Sequence, residues 1–375
     1  MSSPVFLGNP ADLIASVPAV LGFTPTRSIV LLFANPQSPS GTAVSLPFAA
    51  RANSPGDKDS LSDAALAHYA MDMCARLDAV AVLVVFVDDR LTPPLTSGTA
   101  DPRHRSVLEV LARHLESVNR VLGGTWAARA LAPKAEWWNA LDPSESGLLP
   151  DPDTSPVALA YTGAGRTIHR NRSALAESVT TDTAMRDRLA PLLAAAAADA
   201  HERWVRTARI GDPDADTRRT LWRVVHAIST WSPTGSPDLR VLAEVAVALR
   251  DSAIRDAMFG VAAGVHAARA EQLWSILTRA LPDPDRAEAA TLLAFHAYLR
   301  GECPLAGIAL EAALSSDPEH VMARLLHIGL SHGMNPTRLH KLCRSAIEAA
   351  AELRIDIGAP QPHSHTKEGE RDKSR

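Results

Sequence analysis

Two stretches near the N-terminus carry the apolar pattern of β-strands. Residues 28–33 form a β-branched and aromatic run that ends at the turn signal Asn35-Pro36. Residues 42–48 follow, so the two runs predict a hairpin. Residues 80–87 are apolar throughout, which is the pattern of a strand buried on both faces. We expect this segment to be the central strand of a sheet. All strands of this sheet should come before about residue 170.

Helical periodicity separates these strands. Ser62 is a predicted N-cap, and the apolar face of the helix after it recurs as far as Leu77. A second amphipathic helix is expected over 105–122, ended by Gly123-Gly124, with a strand over 125–131 after it. Because strands and helices alternate, the sequence predicts an α/β N-terminal half, built on a mixed sheet with flanking helices.

Beyond residue 173 the pattern predicts an all-α helical half. Four prospective helix starts pair a capping residue with proline, which is tolerated at the first helical position: Ser236-Pro237, Asp283-Pro284, Asp317-Pro318 and Asn335-Pro336. We expect Asp283, Asp317 and Asn335 each to cap a helix that begins at the following proline. Gly301 and Gly333 stand where glycines would end the preceding helices.

Residues 290–314 and the Asp317-Pro318 pair are similar in pattern to a tetratricopeptide hairpin. Such arrays need several repeats, and one copy is present, so the interpretation is a tetratricopeptide-like hairpin inside a helical domain. The predicted division is an α/β domain over 1–141, a proline- and glycine-rich connection over 142–172, a helical domain over 173–355 and a disordered tail over 356–375.

Composition narrows the partner classes. Of the 375 residues, 46% are hydrophobic and 21% are charged, with a formal net charge of −4. This balance is typical of a globular protein and argues against a nucleic-acid partner. No run reaches the roughly 18 apolar residues of a membrane span, so we expect a cytoplasmic protein without membrane contact. Cys74, Cys303 and Cys343 form no CxxC pair and are expected to be buried hydrophobes.

Candidate chemistry begins at Asp88-Asp89, directly after the central strand, where open α/β sheets bind ligands. The two carboxylates could hold a divalent cation or act in acid–base chemistry; the alternative is a solvated acidic loop. We expect both to be at least partly exposed. Trp137 and Trp138 could stack on a ligand ring or form a buried strand edge.

Other polar residues give no catalytic motif. Arg255-Asp256 interrupts an apolar helical stretch and predicts a partly buried pair, which either stabilises the fold or fixes a functional surface. His201-Glu202 lacks the second histidine of HExxH, and the serines lack the GxSxG pattern. No glycine-rich phosphate loop follows a strand. The sequence therefore predicts no cofactor and no metal, and it leaves the question of an enzyme open.

Several landmarks together resemble an uncharacterised family of high-GC Gram-positive bacteria, the domain of unknown function 4192. They are Asp12-Leu13, Val17-Pro18, Leu21-Gly22-Phe23, Pro25 and residues 28–30; the stretch from Gly163 to Arg172-Ser173; residues 247–256; and Leu292 through Gly301, Ala309-Leu310 and Asp317-Pro318. The resemblance covers about residues 5–353 and implies one continuous unit, without an established activity. It adds Arg172 to the candidate polar residues. In the family pattern an arginine and an aspartate precede Leu-Pro, where this chain has Ala43 and Ser45.

Three functional hypotheses remain open. The first is a non-catalytic interaction or adaptor protein that binds a protein partner through its helical half. The second is an α/β protein, with or without enzymatic activity, that binds a small molecule or a nucleotide at the carboxyl end of the strand ending at Val87. The third is a nucleic-acid-associated protein that uses arginines interrupted by acidic residues: Arg203, Arg206, Arg209, Arg218 and Arg219.

Overall fold

A mixed seven-stranded sheet occupies the N-terminal half of the protein. The computed structural model describes residues 5–6, 9–36, 43–55, 57, 60–92, 101–163, 166–208, 212, 214–232, 237–334 and 338–358. The strands are β1 (Val5–Phe6), β2 (Ser28–Pro36), β3 (Ala43–Asn53), β4 (Ala81–Val87), β5 (Val121–Ala128), β6 (Glu136–Asn139) and β7 (Ser146–Leu148). Their spatial order is β1-β3-β2-β4-β5-β6-β7. Only β4 and β5 run parallel among these neighbours.

The central strand is β4, as the sequence predicts. Every residue of β4 after Ala81 is buried, and the strand lies between β2 and β5. The predicted hairpin is also confirmed, because β2 and β3 pair antiparallel from Ser28 opposite Asn53. Gly41, which stands between the two apolar runs in the sequence, lies outside the described residues.

Helices of the N-terminal half pack around this sheet. They are α1 (Pro10–Leu21), α2 (Asp63–Leu77), α3 (Pro102–Ser117), a short 3-10 helix (Pro152–Thr154) and α4 (Pro156–Gly163). Helices α2 and α3 contact each other, while α2 also contacts β4 and α3 contacts β5. Ser62 caps α2 as predicted, since its side chain accepts from the N–H of Ala65 at 3.2 Å.

The predicted boundary at Gly123-Gly124 is wrong. Helix α3 ends at Ser117, and both glycines lie inside β5. A Cβ on residue 124 would overlap the ring of Trp126. The glycine pair therefore allows close packing inside a strand instead of ending a helix.

The C-terminal half is helical. Its helices are α5 (Arg172–Glu177), α6 (Thr183–Ala208), α7 (Ala215–Ser229), α8 (Leu239–Ala248), α9 (Ser252–Val261), α10 (Ala267–Ala280), α11 (Asp285–Leu299), α12 (Cys303–Ser316), α13 (Val321–Ser331) and α14 (Leu339–Glu352). Helix α11 is buried along most of its length and packs against α8, α9, α10, α12 and α13. It is the centre of this half, as its continuous apolar surface predicts.

The predicted proline helix starts are wrong at both sites that the structure describes. Helix α11 begins at Asp285, with Pro284 before it and without a side-chain cap. Helix α13 begins at Val321. The Asp317 carboxylate accepts instead from the N–H of Glu319 at 3.0 Å and forms a turn ahead of the helix. Ser236, Asn335 and Pro336 lie outside the described residues.

His320 is the residue that caps α13. Its Nδ1 accepts from the N–H of Ala323 at 3.1 Å, and its Nε2 lies 3.0 Å from a carboxylate oxygen of Glu288 on α11. Because Nδ1 accepts, the ring proton belongs to Nε2, which donates to Glu288. The cap therefore also connects two helices. The predicted helix-ending glycines are confirmed, with φ of 80° at Gly301 and 62° at Gly333.

The two halves share one hydrophobic core. His169, in the connection, exchanges backbone hydrogen bonds with Gly22 and Thr24 at 2.8 and 2.9 Å. Arg166 pairs with Glu302 at 3.0 Å. The thioether of Met73 on α2 occupies the space that a side chain at position 333 would need. Direct contacts therefore join the sheet, the connection and the helical half.

We expect Gly124→Ala to lower the free energy of unfolding by about 1–3 kcal/mol, because the added Cβ overlaps the Trp126 ring. Urea denaturation measures this. Gly163→Ala is the matched control, since nothing lies within 4 Å of a Cβ at that position. Equal stability of both variants would contradict the packing role of Gly124.

We expect His320→Ala to cost about 1 kcal/mol of stability, because α13 loses its cap. His320→Asn should recover part of this loss, since asparagine is a good capping residue. Asp317→Ala should cost less than His320→Ala, because Asp317 ends α12 through its backbone N–H, which alanine retains, and its side chain caps no helix. Thermal and urea unfolding of the three variants test this order, and a larger loss for Asp317→Ala would contradict it.

Candidate functional site

The acidic pair at the end of β4 is divided between the interior and the solvent. The N–H of Asp88 donates to the carbonyl of Ala128 at 3.1 Å, which extends the ladder between β4 and β5. The side chain of Asp88 is 6% exposed, whereas that of Asp89 is 64% exposed. The expected exposure therefore holds for Asp89 and not for Asp88.

Arg90 folds back on Asp88 and encloses its carboxylate. Its Nε donates to Oδ1 at 2.8 Å and its Nη2 to Oδ2 at 2.5 Å, and its backbone N–H also donates to Oδ1 at 3.0 Å. Burial alone raises the pKa of Asp88. The bonds from Arg90, helped by the Ser54 hydroxyl, outweigh burial and lower this pKa to about 2.

Asp89 is held by a second arginine. The guanidinium of Arg27 donates to its two carboxylate oxygens at 2.9 and 3.3 Å, and this bond lowers the pKa of Asp89. Arg129 donates to the backbone carbonyl of Asp89 at 2.9 and 3.2 Å. Arg90 also reaches Asp57 at 2.8 Å. Each carboxylate of the pair thus has its own arginine.

This geometry sets the chemistry that the pair can perform. A carboxyl with a pKa of about 2 stays ionised near neutral pH, so Asp88 is unsuited to general acid catalysis there. A cation would have to displace Arg90 from Asp88. Within the described part of the chain, no group of three or more His, Cys, Asp or Glu side chains is placed to hold a metal ion.

His104 lies beside this network and packs into the core. Its ring stacks on Phe86 of β4, with centroids 3.9 Å apart, and it is buried. Burial lowers its pKa to about 4. It acts as part of the core between α3 and the sheet.

The adjacent tryptophans lie on strand β6 and pack into the core. Trp137 is 6% exposed and Trp138 is 7% exposed. Trp137 pairs with Ala128 of β5 and with Gly147 of β7, and its ring lies close over Gly147. This arrangement fits the buried strand edge and leaves little surface for stacking on a ligand.

The remaining sequence candidates form ion pairs of their own. Arg172 is the first residue of α5, half exposed, and its guanidinium is 3.9 Å from Glu311. Arg255 contacts Asp256 and Glu288, both at 3.2 Å. Arg255 and His320 thus meet at Glu288, where their hydrogen bonds outweigh the effect of burial and lower the carboxyl pKa. Asp256 is more than half exposed.

A cavity that the sequence did not indicate lies between α7 and α8. Its volume is about 490 Å³, and its wall includes Arg203 of α6, Trp222 and His226 of α7, and Trp231. The spacing of Trp222 and His226 by four residues places both rings on one helix face. The sequence therefore indicates this aromatic pair. Only the packing of the helices brings Arg203 and α8 to the same cavity.

The arginines considered for nucleic acid are partly paired. Arg206 lies 4.0 Å from Glu202, and Arg218 pairs with Asp212 at 3.1 Å. Arg209 lies outside the described residues. Such pairs are typical of a mixed-charge surface. They leave fewer arginines available to contact the phosphate groups of a nucleic acid.

Comparison with protein families matches residues 10–337 to the domain of unknown function 4192. The chain belongs to this family. Domain of unknown function 4192 therefore covers the α/β half, the connection and the helical half up to the end of α13. Comparison with curated proteins and with solved structures gives no match. The likeness of α11 and α12 to a tetratricopeptide hairpin is accordingly not confirmed.

Ala43 and Ser45 belong to β3, where they pair with Phe6 and Asn35, respectively. None of the described helices has the length and hydropathy to cross a membrane.

We expect Asp88→Asn to change the acid stability of the protein. The folded pKa is below the unfolded value of 3.8, so the pair stabilises the fold above about pH 4 and loses this effect as pH falls to about 2. The contribution is on the order of 2 kcal/mol. Urea unfolding from pH 7 to pH 2 should show a smaller loss of stability in the variant.

Asp89→Asn is the matched control. Because Asp89 is exposed, its ion pair is screened by solvent, and its loss should change stability at pH 7 much less than the loss of the Asp88 pair. A wild-type acid profile that Asp88→Asn leaves unaltered would show that the Arg90 pair does not stabilise the fold.

Proposed function

We propose that the protein is a non-catalytic interaction protein and that its helical half carries the partner-binding surface. A row of exposed aliphatic side chains on α13 supports this proposal. Val321, Leu325 and Ile328 are 70%, 58% and 53% exposed, respectively. They are four and three positions apart, so they lie on one face of the helix.

The occupant that fits this row is an amphipathic helix of a partner protein. Apolar anchors at these spacings are the pattern with which one helix packs on another, and the row extends about 10 Å along α13. Single exposed hydrophobic residues are common on surfaces, but an aligned row on one helix is a recognised feature of interaction sites.

Neighbouring contacts fix the orientation of this face. His320 caps α13 and bonds to Glu288 of the buried helix α11, so the start of α13 is anchored to the core. Arg324, beside the row, is paired with Glu319 at 3.0 Å. The row is thus presented on a rigid element with a polar margin, as interfaces generally are.

The end of β4 supports the alternative function less well. A small-molecule or nucleotide site there would need polar groups free to meet a ligand, whereas the carboxylates of Asp88 and Asp89 are occupied by arginines.

The proposal includes a cytoplasmic location. Cys74, Cys303 and Cys343 support it, because all three are buried and unpaired, as is usual in a reducing compartment.

We expect Leu325→Asp to abolish partner binding without unfolding the protein, because the side chain is exposed and a charge there would be buried in the complex. The full-length protein, immobilised, would capture partners from lysate of its own source, with bound proteins identified by mass spectrometry. Leu159→Asp is the control, since Leu159 is 58% exposed on α4.

Proteins retained by the wild type and by Leu159→Asp but lost with Leu325→Asp would support the proposal. Equal retention by Leu325→Asp would contradict it. Light scattering after gel filtration distinguishes self-association: a wild-type dimer that Leu325→Asp dissociates would show that the face binds a second copy instead.

A further inference from the structure

The cavity between α7 and α8 combines an aromatic wall with hydrogen-bond donors that have no acceptor among the described residues. We propose that it binds a planar aromatic compound carrying a carboxylate or a phosphate group. This ligand site lies on different helices from the α13 face and goes beyond the binding of a protein partner.

The aromatic wall is formed by two side chains of α7. The rings of Trp222 and His226 are nearly parallel, with an interplanar angle of 5° and centroids 5.1 Å apart. Trp222 is 55% exposed although it lines the cavity. A planar ring of a ligand could therefore stack on it and bury apolar area that now faces water.

Trp231 supplies the first unused donor. Its ring nitrogen is buried and has no hydrogen-bond partner among the described residues. A buried N–H without an acceptor costs about 1–3 kcal/mol. A ligand oxygen in the cavity would remove this cost, so the site favours a compound with an acceptor at one end.

The charges on the wall favour an anionic acceptor. The carboxylate of Glu244 is paired with Arg223 at 2.6 Å, and that of Asp238 accepts from the N–H of Arg240 at 2.9 Å as the cap of α8. Arg203 also lines the cavity, and it forms no ion pair within the part of the chain that the structure describes. Arg223 thus neutralises Glu244, Asp238 keeps its charge at the start of α8, and Arg203 is the guanidinium placed to bind a carboxylate or phosphate.

The dimensions agree with a small ligand. Sites for small molecules usually enclose about 300–1,000 Å³, and this cavity encloses about 490 Å³. Its lining also includes Val241 and Val245 of α8, which provide an apolar surface. A ring of one or two fused cycles with one anionic group fits this combination of shape and chemistry.

Isothermal titration calorimetry of the full-length protein tests the assignment with naphthalene probes that share a ring system. The probes are 2-naphthoate, 2-naphthyl phosphate and the neutral 2-naphthamide. We expect at least one anion to bind about tenfold or more tightly than the amide, because only an anion forms a charge-assisted bond with Arg203. Comparing the two anions distinguishes a carboxylate from a phosphate ligand.

Two variants assign the contacts to residues. Arg203→Gln should weaken the preferred anion about tenfold and leave the amide unchanged. Trp222→Ala should weaken all probes about threefold to tenfold, since stacking does not depend on charge. Both side chains are at least partly exposed, so the folded state should persist.

Neighbouring residues on α6 provide matched controls. Arg206 and Trp204 are exposed and do not line the cavity, so Arg206→Gln and Trp204→Ala should bind as the wild type does. Equal affinity for amide and anions, absence of binding by every probe, or equal losses in the control variants would each overturn the proposal. None of these results would affect the α13 experiment, which has a separate readout.

Discussion

Burial of the central strand β4 is the constraint that organises the α/β half. Because every residue after Ala81 is buried, the strand can carry no polar side chain until it ends. Polar groups are therefore concentrated just after Val87, and the first of them, Asp88, is still inside the fold. A carboxylate at this depth needs a partner, and Arg90 supplies it from two residues away. The pairing of Asp88 with Arg90 thus follows from the burial of β4, whereas Asp89 already lies in solvent.

A second consequence is that the two halves stabilise each other. Helix α2 covers the sheet with one face, while Met73 and Tyr69 on it approach the helical half near Gly333 and Cys303. The connection adds the backbone bonds of His169. Removing either half would expose apolar surface that the other now covers, at about 25 cal/mol for each Å². Point substitutions in the full chain are therefore better tests of function than truncations.

The sequence indicates those features that depend on local patterns. The apolar run of β4, the cap at Ser62 and the glycine at position 301 each follow from neighbouring residues, and the structure confirms them. The cap of α13 was missed because an Asp-Pro pair can start a helix or form a turn before it, and the choice depends on the bond between His320 and Glu288 of another helix. The cavity could not be predicted for the same reason. Three helices form its wall, and their packing is not encoded in any single segment.

The charged network after β4 differs from the two proposed sites of the helical half in how far its polar groups are satisfied. At the end of β4, the charged side chains of Asp88, Asp89, Arg27 and Arg90 pair with one another. Such pairs stabilise a fold and leave no group for a ligand. In the helical half, the Trp231 nitrogen and the aliphatic row of α13 keep unfavourable contacts in the free protein. Such groups destabilise the free protein. When a partner or ligand satisfies them, the removal of that cost adds to the binding free energy. Both sites proposed above, the α13 row and the cavity between α7 and α8, lie on helices for this physical reason.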